Sequence, residues 1–328
     1  MSFDVVKENL VEVNRSAGKP ALLSFFTSSM ADKIFKGITT FFASLVLLLA
    51  LVTAGSLYLA SDASIKAFGW KFLISSDWDP IKQVFGAAPY IFGTLVSSFL
   101  ALFIAIPLGL GISLFLTELS PERLREPVSF MVDILASIPS VVYGLWGMFV
   151  LAPFMQAHVD PLLGWFGLPI FKLPSTGLSL MTAGVILSIM ILPTIISISR
   201  EIFEAVPNSY REAARALGGT NWETIQLAVL KSSKAGVVGA VMLGLGRALG
   251  ETMAVTMVIG NSPHISPNLL APAYSMAAVI ANEFTEANGD IYLAALAEIG
   301  LLLMAITLIL NIAAHLLVWA TTRKFQGR

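Results

Sequence analysis

Six long apolar runs alternate with polar stretches along the chain. They cover residues 37–60, 87–117, 128–152, 178–199, 236–260 and 291–319. A bilayer core of about 30 Å needs about 20 apolar residues of helix to cross it, and each run supplies them. The pattern predicts an all-α membrane protein with six transmembrane helices. Pro107, Gly109 and Gly111 interrupt the second run, Pro139 the third and Pro193 the fourth. Proline removes a helical donor and clashes with the preceding turn. Broken helices survive in membranes where they are packed in protein or line a wet path, and a simple kink is the other reading.

Basic residues orient the spans, because cytoplasmic flanks carry them in excess. Fifteen flank one side, four flank the other (Lys66, Lys71, Lys82 and Lys172), and Arg247 lies inside a span. Both termini are therefore expected in the cytoplasm, with 61–86, 153–177 and 261–290 outside. The expected organisation is a cytoplasmic segment 1–33, a transmembrane domain 34–322 that includes the cytoplasmic loop 200–235, and a tail 323–328. Residues 1–33 scatter charge and show no cleavable signal.

Composition narrows the function. Of 328 residues, 56% are hydrophobic and 12% charged, about half the charge of a soluble domain; mean hydropathy is +0.81. The formal net charge of -1 gives no footing for nucleic acid. Without cysteine there is no disulfide or thiolate metal site. His158, His264 and His315 are far apart in sequence, so neither metal nor cofactor is expected. An intramembrane enzyme would need an acid–base or nucleophile set that the chain lacks. No GxxxxGK[ST] loop is present, so ATP is not bound in the P-loop manner. If ATP drives the chain, a separate subunit hydrolyses it.

The most informative polar stretch, Val206–Glu223, reads VPNSYREAARALGGTNWE. Ser209 with Glu212, and Thr220 with Glu223, have the spacing of capping boxes that open helices. Gly218-Gly219 suits the left-handed turn that closes one. The loop should hold a helix of about two turns, a sharp turn and a second helix entering the fifth span. Ala213, Ala214 and Leu217 share one side of the first helix, Arg211 and Arg215 another. Such a small alanine-rich helix suits a groove in a partner protein, although a plain surface hairpin would read the same way.

Here a resemblance enters. Glu212-Ala213-Ala214, followed after three residues by Gly218, resembles the EAA loop of binding-protein-dependent ABC importer permeases. Further on, where that pattern continues Ile-x-Leu-Pro, this chain has Ala228-Val229-Leu230-Lys231, and only the leucine agrees. Five further motifs are similar to the PstC-type permeases of phosphate import. They are Asp77-Trp78-Asp79-Pro80, Ile106–Gly111, Ala136–Gly147, Ile191–Ile195 and, closest of all, Leu243–Val255.

The resemblance implies a type I ABC importer (MetI-like) permease fold in the inner membrane, with a cytoplasmic coupling helix in the loop 200–235. Ser209, Arg211, Glu212, Ala213, Ala214, Leu217 and Gly218 would meet the ATPase. The implied partners are a PstA-like second permease, two PstB-like ATPase subunits and a PstS-like external phosphate-binding protein. The implied cargo is inorganic phosphate. Sulfate or molybdate is the competing oxyanion, and a self-sufficient secondary transporter is the competing class.

Arg247 asks for an explanation on any reading. It lies about 16 Å along the fifth run from Gly236 at 1.5 Å per residue, where a charge costs about 2.5–3.5 kcal/mol on insertion scales. Glu251 follows at i+4, on the same face of a continuous helix. Gly244, Gly246 and Gly250 leave room for close helix approach and for the arginine to reach across a gap. A guanidinium fork matches phosphate, and a carboxylate one turn away could hold that fork in the empty path. The alternative is a permanent Arg–Glu bridge that pins the span to a neighbour. Ser137, Ser140 and Tyr143, around Pro139, could add hydroxyls to the path or simply pack. Glu298 is either a wet-rim residue or a partner of another helix. Asp133, Asn311 and His315 read as interfacial or structural. Segment 64–80, with Trp70, Asp77, Trp78 and Asp79, is either a docking surface or a solvated loop.

Overall fold

The computed structural model describes residues 28–326. The expected cytoplasmic segment 1–33 therefore lies mostly outside the described residues, as does the end of the 323–328 tail. The chain divides into two units, up to Ser56 and from Leu57 onward. In the first, the described residues form the first part of helix α1 (Ser28–Phe68). Its apolar side chains are exposed, as a lipid-solvated helix allows. The hydroxyls of Thr39, Ser44 and Thr53 donate to carbonyls four residues earlier, at 2.8, 2.8 and 2.9 Å, which satisfies them without water.

The second unit holds the packed helices. Helix α2 (Ala88–Leu114) continues through a wide π turn at Phe115–Leu119. Helix α3 (Glu122–Ser137) precedes α4 (Ser140–Trp146), which runs on through π turns to Trp165. Helix α5 spans Leu180–Glu204, and Ser179 caps its start by accepting from the Thr182 N–H. Helices α6 (Asn208–Ala216) and α7 (Asn221–Thr224) form the loop. Then come α8 (Lys231–Gly250), α9 (Met253–Val258), α10 (Met276–Glu283) and α11 (Asp290–Gln326). Among the described residues six helical stretches are long and apolar enough to cross a membrane.

Glycine sets how closely α2, α5 and α8 approach. A Cβ on Gly184 would meet Leu100 at 2.5 Å, and one on Gly109 would meet Ile195 at 2.8 Å. Rising pairs such as these mean that α2 and α5 run parallel. Gly236 faces Ile202 and Gly244 faces Ile195, so α8 returns antiparallel. Ile186, Ile191, Ile195, Leu245, Leu249 and Val255 form the core between them.

Two predicted spans differ from what is observed. The third, 128–152, is not one helix. The chain is extended at Ile138 (ψ 127°) and Pro139 (ψ 142°), and the crossing is Ser140–Trp165. Pro139 has no N–H to continue the ladder, and helix α4 restarts with its own packing. The fifth, 236–260, ends at Gly250. Glu251 is extended (ψ 126°), and α9 begins afresh at Met253.

Outside the core, segment 69–87 folds onto 274–296. Asp79 and Val84 exchange backbone hydrogen bonds at 2.8 and 3.1 Å. The Asp79 carboxylate accepts from the Ile81 and Lys82 N–H groups, and these bonds, chiefly that from Lys82, hold its carboxyl below the usual range. The Trp78 indole and Tyr292 hydroxyl both donate to Glu283 Oε2, at 2.8 and 2.6 Å. Burial pushes the Tyr274 phenol up to about 12. Segment 64–80 is thus anchored rather than loose, although Trp70 stays exposed.

Buried Thr94 is the keystone of this outer region. Its Oγ1 donates to the Tyr90 carbonyl and accepts from the Met276 N–H, both at 2.8 Å. Thr94→Val keeps the shape and orphans that N–H. We expect a loss of about 1–3 kcal/mol, read as earlier thermal unfolding of detergent-solubilised protein; an unchanged midpoint would refute it.

Candidate functional site

Arg247 sits in the last turn of α8, three residues before the helix ends. Its Nη1 donates to Thr194 Oγ1 on α5 at 3.3 Å, and it lies within electrostatic reach of the buried Tyr143 on α4. The carbonyls at a helix C-terminus carry partial negative charge that favours a nearby cation. Thr194 follows Pro193 within the Ile191–Ile195 motif, and no sequence rule marks its hydroxyl as a partner of Arg247.

Glu251 is not where a continuous helix would put it. The break at Gly250 turns its carboxylate toward the next helix, where Oε1 accepts from the Ala254 N–H at 3.2 Å. Among the described residues no ion pair joins Arg247 and Glu251. This corrects both the shared helical face and the Arg–Glu bridge. The carboxylate supplies a backbone N–H with an acceptor at the start of α9, and the guanidinium is left to a neutral hydroxyl.

Helix α4 lies against α9. A Cβ on Gly144 would meet Met257 Sδ at 2.6 Å and Ala254 Cα at 3.0 Å, and one on Gly147 would meet Val258 at 2.8 Å. The pairs rise together, so the two helices run parallel and their N-terminal breaks lie side by side. The Tyr143 hydroxyl donates to the Leu135 carbonyl across the Pro139 break at 2.8 Å. Ser137 is exposed and donates to Ile134 at 2.7 Å, and Ser140 is half-buried. Gly246 and Gly250 have no atom of this chain within 4 Å of an added Cβ. Of the three glycines expected to allow close approach, only Gly244 is met closely by another described helix, with Ile195 3.1 Å from its added Cβ. Glu298 is buried, and among the described residues its Oε2 has no hydrogen bond within normal geometry.

The loop between α5 and α8 is half as predicted. Thr220 and Glu223 form the full reciprocal box, and Gly218 takes φ +84°. Gly219 N–H bonds to Ala214 O, and Gly218 N–H to Arg215 O, the paired closure of a left-handed helix end. The first box does not form. Pro207 takes the N-cap position of α6 with no side-chain cap, so Ser209 and Glu212 sit two residues too far along for the box. Glu212, Ala213, Leu217 and Gly218 are exposed, Leu217 to 90%, and Ala214 is half-buried. Arg211 departs from expectation: it points inward to Glu118, with Nη2–Oε1 at 2.7 Å. After the loop the helix continues through a π turn, Ile225–Leu230, into α8; with Lys231 in place of proline nothing stops it.

Residues 105–321 match the family described as binding-protein-dependent transport system inner membrane component. The chain is 48% identical to the phosphate transport system permease protein PstC of Mesorhizobium japonicum, over 88% of this chain and 91% of that one. The chain belongs to this family, and within it to the PstC permeases. A second PstC, from Pasteurella multocida, is 47% identical over 90% of this chain and 94% of its own. The fold is also that of a permease in an inward-facing structure of the MetNI methionine ABC transporter. There the TM-score is 0.55 at 20% identity, over 74% of this chain and 99% of that one. The chain is accordingly a multi-pass inner-membrane transport component of the MetI-like fold, and ATP hydrolysis belongs to another subunit.

Proposed function

We propose that this permease carries inorganic phosphate into the cell as half of a heterodimeric channel. The reading rests on near full-length identity with two PstC proteins named for phosphate transport. The geometry supports it through Arg247, a guanidinium at a helix break whose one hydrogen bond among the described residues is to the Thr194 hydroxyl. Phosphate would meet its fork transiently, with Thr194, Tyr143 and Ser140 as neutral neighbours. Glu251 shapes the break, and Ser137 lies at the adjoining one. A conduit must bind its cargo weakly enough to release it, and a guanidinium that no ion pair engages among the described residues fits that need.

The second half would be a PstA-like permease, with two PstB-like ATPases inside and a PstS-like phosphate-binding protein outside. Both termini face the cytoplasm by the basic-residue rule. The exposed side of α6, with Ser209, Glu212, Ala213, Ala214, Leu217 and Gly218, is the handle for the ATPase, and closure of the ATPases rocks the helices as rigid bodies. The test is radiolabelled uptake into proteoliposomes that hold the co-purified complex. Uptake should require ATP and be chased by unlabelled phosphate but not by sulfate or molybdate. ATP-independent uptake, or equal chase by sulfate, would overturn the reading.

A further inference from the structure

The pair Arg211–Glu118 joins positions 93 residues apart. It is the most deeply buried ion pair among the described residues, with side chains 12% and 8% exposed. The guanidinium gives Glu118 three contacts: Nη2–Oε1 at 2.7 Å, Nε–Oε1 at 3.1 Å and Nε–Oε2 at 3.2 Å. It also donates to the carbonyls of Phe203 (2.9 Å) and Val206, and to Asn208 Oδ1 at 3.3 Å. Those two carbonyls lie at the C-terminal end of α5, where acceptors lack helical partners. Arg211 thus binds the ends of two helices at once: α5 through carbonyls, and the π-turn end of α2 through Glu118.

Glu118 is itself fixed from another side. Arg125 on α3 donates from Nε to the Leu116 carbonyl (2.9 Å) and from Nη2 to that of Thr117 (3.1 Å). From there a packed route leads to the candidate pathway. Helix α2 meets Ile195 through Gly109, and the preceding residue, Thr194, contacts Arg247. Helix α6 is tied to α5 by a covalent turn of three residues, Ala205–Pro207. It has no such tie to α2, and Glu118 supplies one.

We propose that Arg211 and Glu118 are a positioning pair that makes α6 and the inner ends of α2 and α5 move as one body. Without it, the ATPase would turn the loop and α5 while α2 lagged behind. The proposal rests on the reading of α6 as the ATPase's handle. It also removes Arg211 from the set of ATPase contacts, because the residue faces inward.

The experiment measures phosphate moved per ATP hydrolysed in proteoliposomes of the co-purified complex. Glu118→Gln keeps the shape and loses the charge. The ratio should fall about tenfold, within the usual range of coupling strengths, with the ATPase still bound and its basal hydrolysis within about twofold. A merely structural pair would lower the yield of complex and leave the ratio alone. That result, an unchanged ratio in assembled Glu118→Gln, overturns the proposal.

A second variant decides the matter if the first does not assemble. The chain has no cysteine, so Glu118→Cys with Arg211→Cys can be joined by a short, reducible, bifunctional thiol reagent. The linked complex should recover the ratio and lose it on reduction; equal ratios in the two states overturn the proposal. Leu217→Arg separates this proposal from the reading beneath it. Loss of the ATPase from that variant supports the handle. Retained ATPase binding and uptake overturn the handle, and the proposed route with it.

Discussion

Arg247→Gln is expected to leave the transporter assembled and to lower phosphate uptake about 100-fold if Arg247 meets the anion as proposed. The estimate follows from two charge-assisted hydrogen bonds of about 1.5–3 kcal/mol each, discounted to about 3 kcal/mol because the anion keeps other contacts; each 1.4 kcal/mol is tenfold. Glutamine retains a donor and the bulk but not the charge or the fork. Arg247→Lys keeps the charge and loses the fork, so it should fall between, near tenfold. Insertion should be spared in both, because among the described residues the side chain's one hydrogen bond is a long one to Thr194. Uptake and complex yield are measured on the same preparation. Near-normal uptake in Arg247→Gln would remove the residue from the pathway.

Gly93→Ala should be a strongly damaging small substitution. A Cβ there would lie 2.1 Å from the Tyr274 carbonyl oxygen and 2.8 Å from its carbon. The obstacle is backbone, in a segment held by the Thr94–Met276 hydrogen bond one residue on, so neither side yields cheaply. Overpacking costs about 1–3 kcal/mol, and this site belongs at the upper end. Gly239→Ala in α8 is the control. Nothing lies within 4 Å of its added Cβ, and replacing a mid-helix glycine is neutral or gains up to about 1 kcal/mol. Thermal unfolding of the two solubilised variants compares them directly; equal midpoints would refute the packing argument.

The crossings were legible because a membrane imposes length and apolarity, and both are local in sequence. Where a crossing breaks was not. Pro139 announced a disturbance, but whether a proline kinks or ends a helix depends on neighbours, here the contact of Gly144 with α9. The break at Glu251 has no proline to mark it; Leu243–Val255 reads as one helix, and only the observed ψ of Glu251 separates the halves. The capping boxes show the same limit. Thr220 succeeded because nothing competes for its position. Ser209 failed because Pro207, with φ −58° and ψ 137°, had already started the helix. Glu118 was invisible for a simpler reason: no periodicity connects it to Arg211. An acid at the inner end of an apolar run was the one available hint.

The hydroxyl beside Arg247 has a consequence for the cell's energy supply. Among the described residues no ion pair engages that guanidinium, so if phosphate passes it as proposed, its positive charge is open to the path. Such a charge repels protons and sodium. A path wide enough for an oxyanion would then still be a poor leak for the gradients on which the rest of the membrane runs.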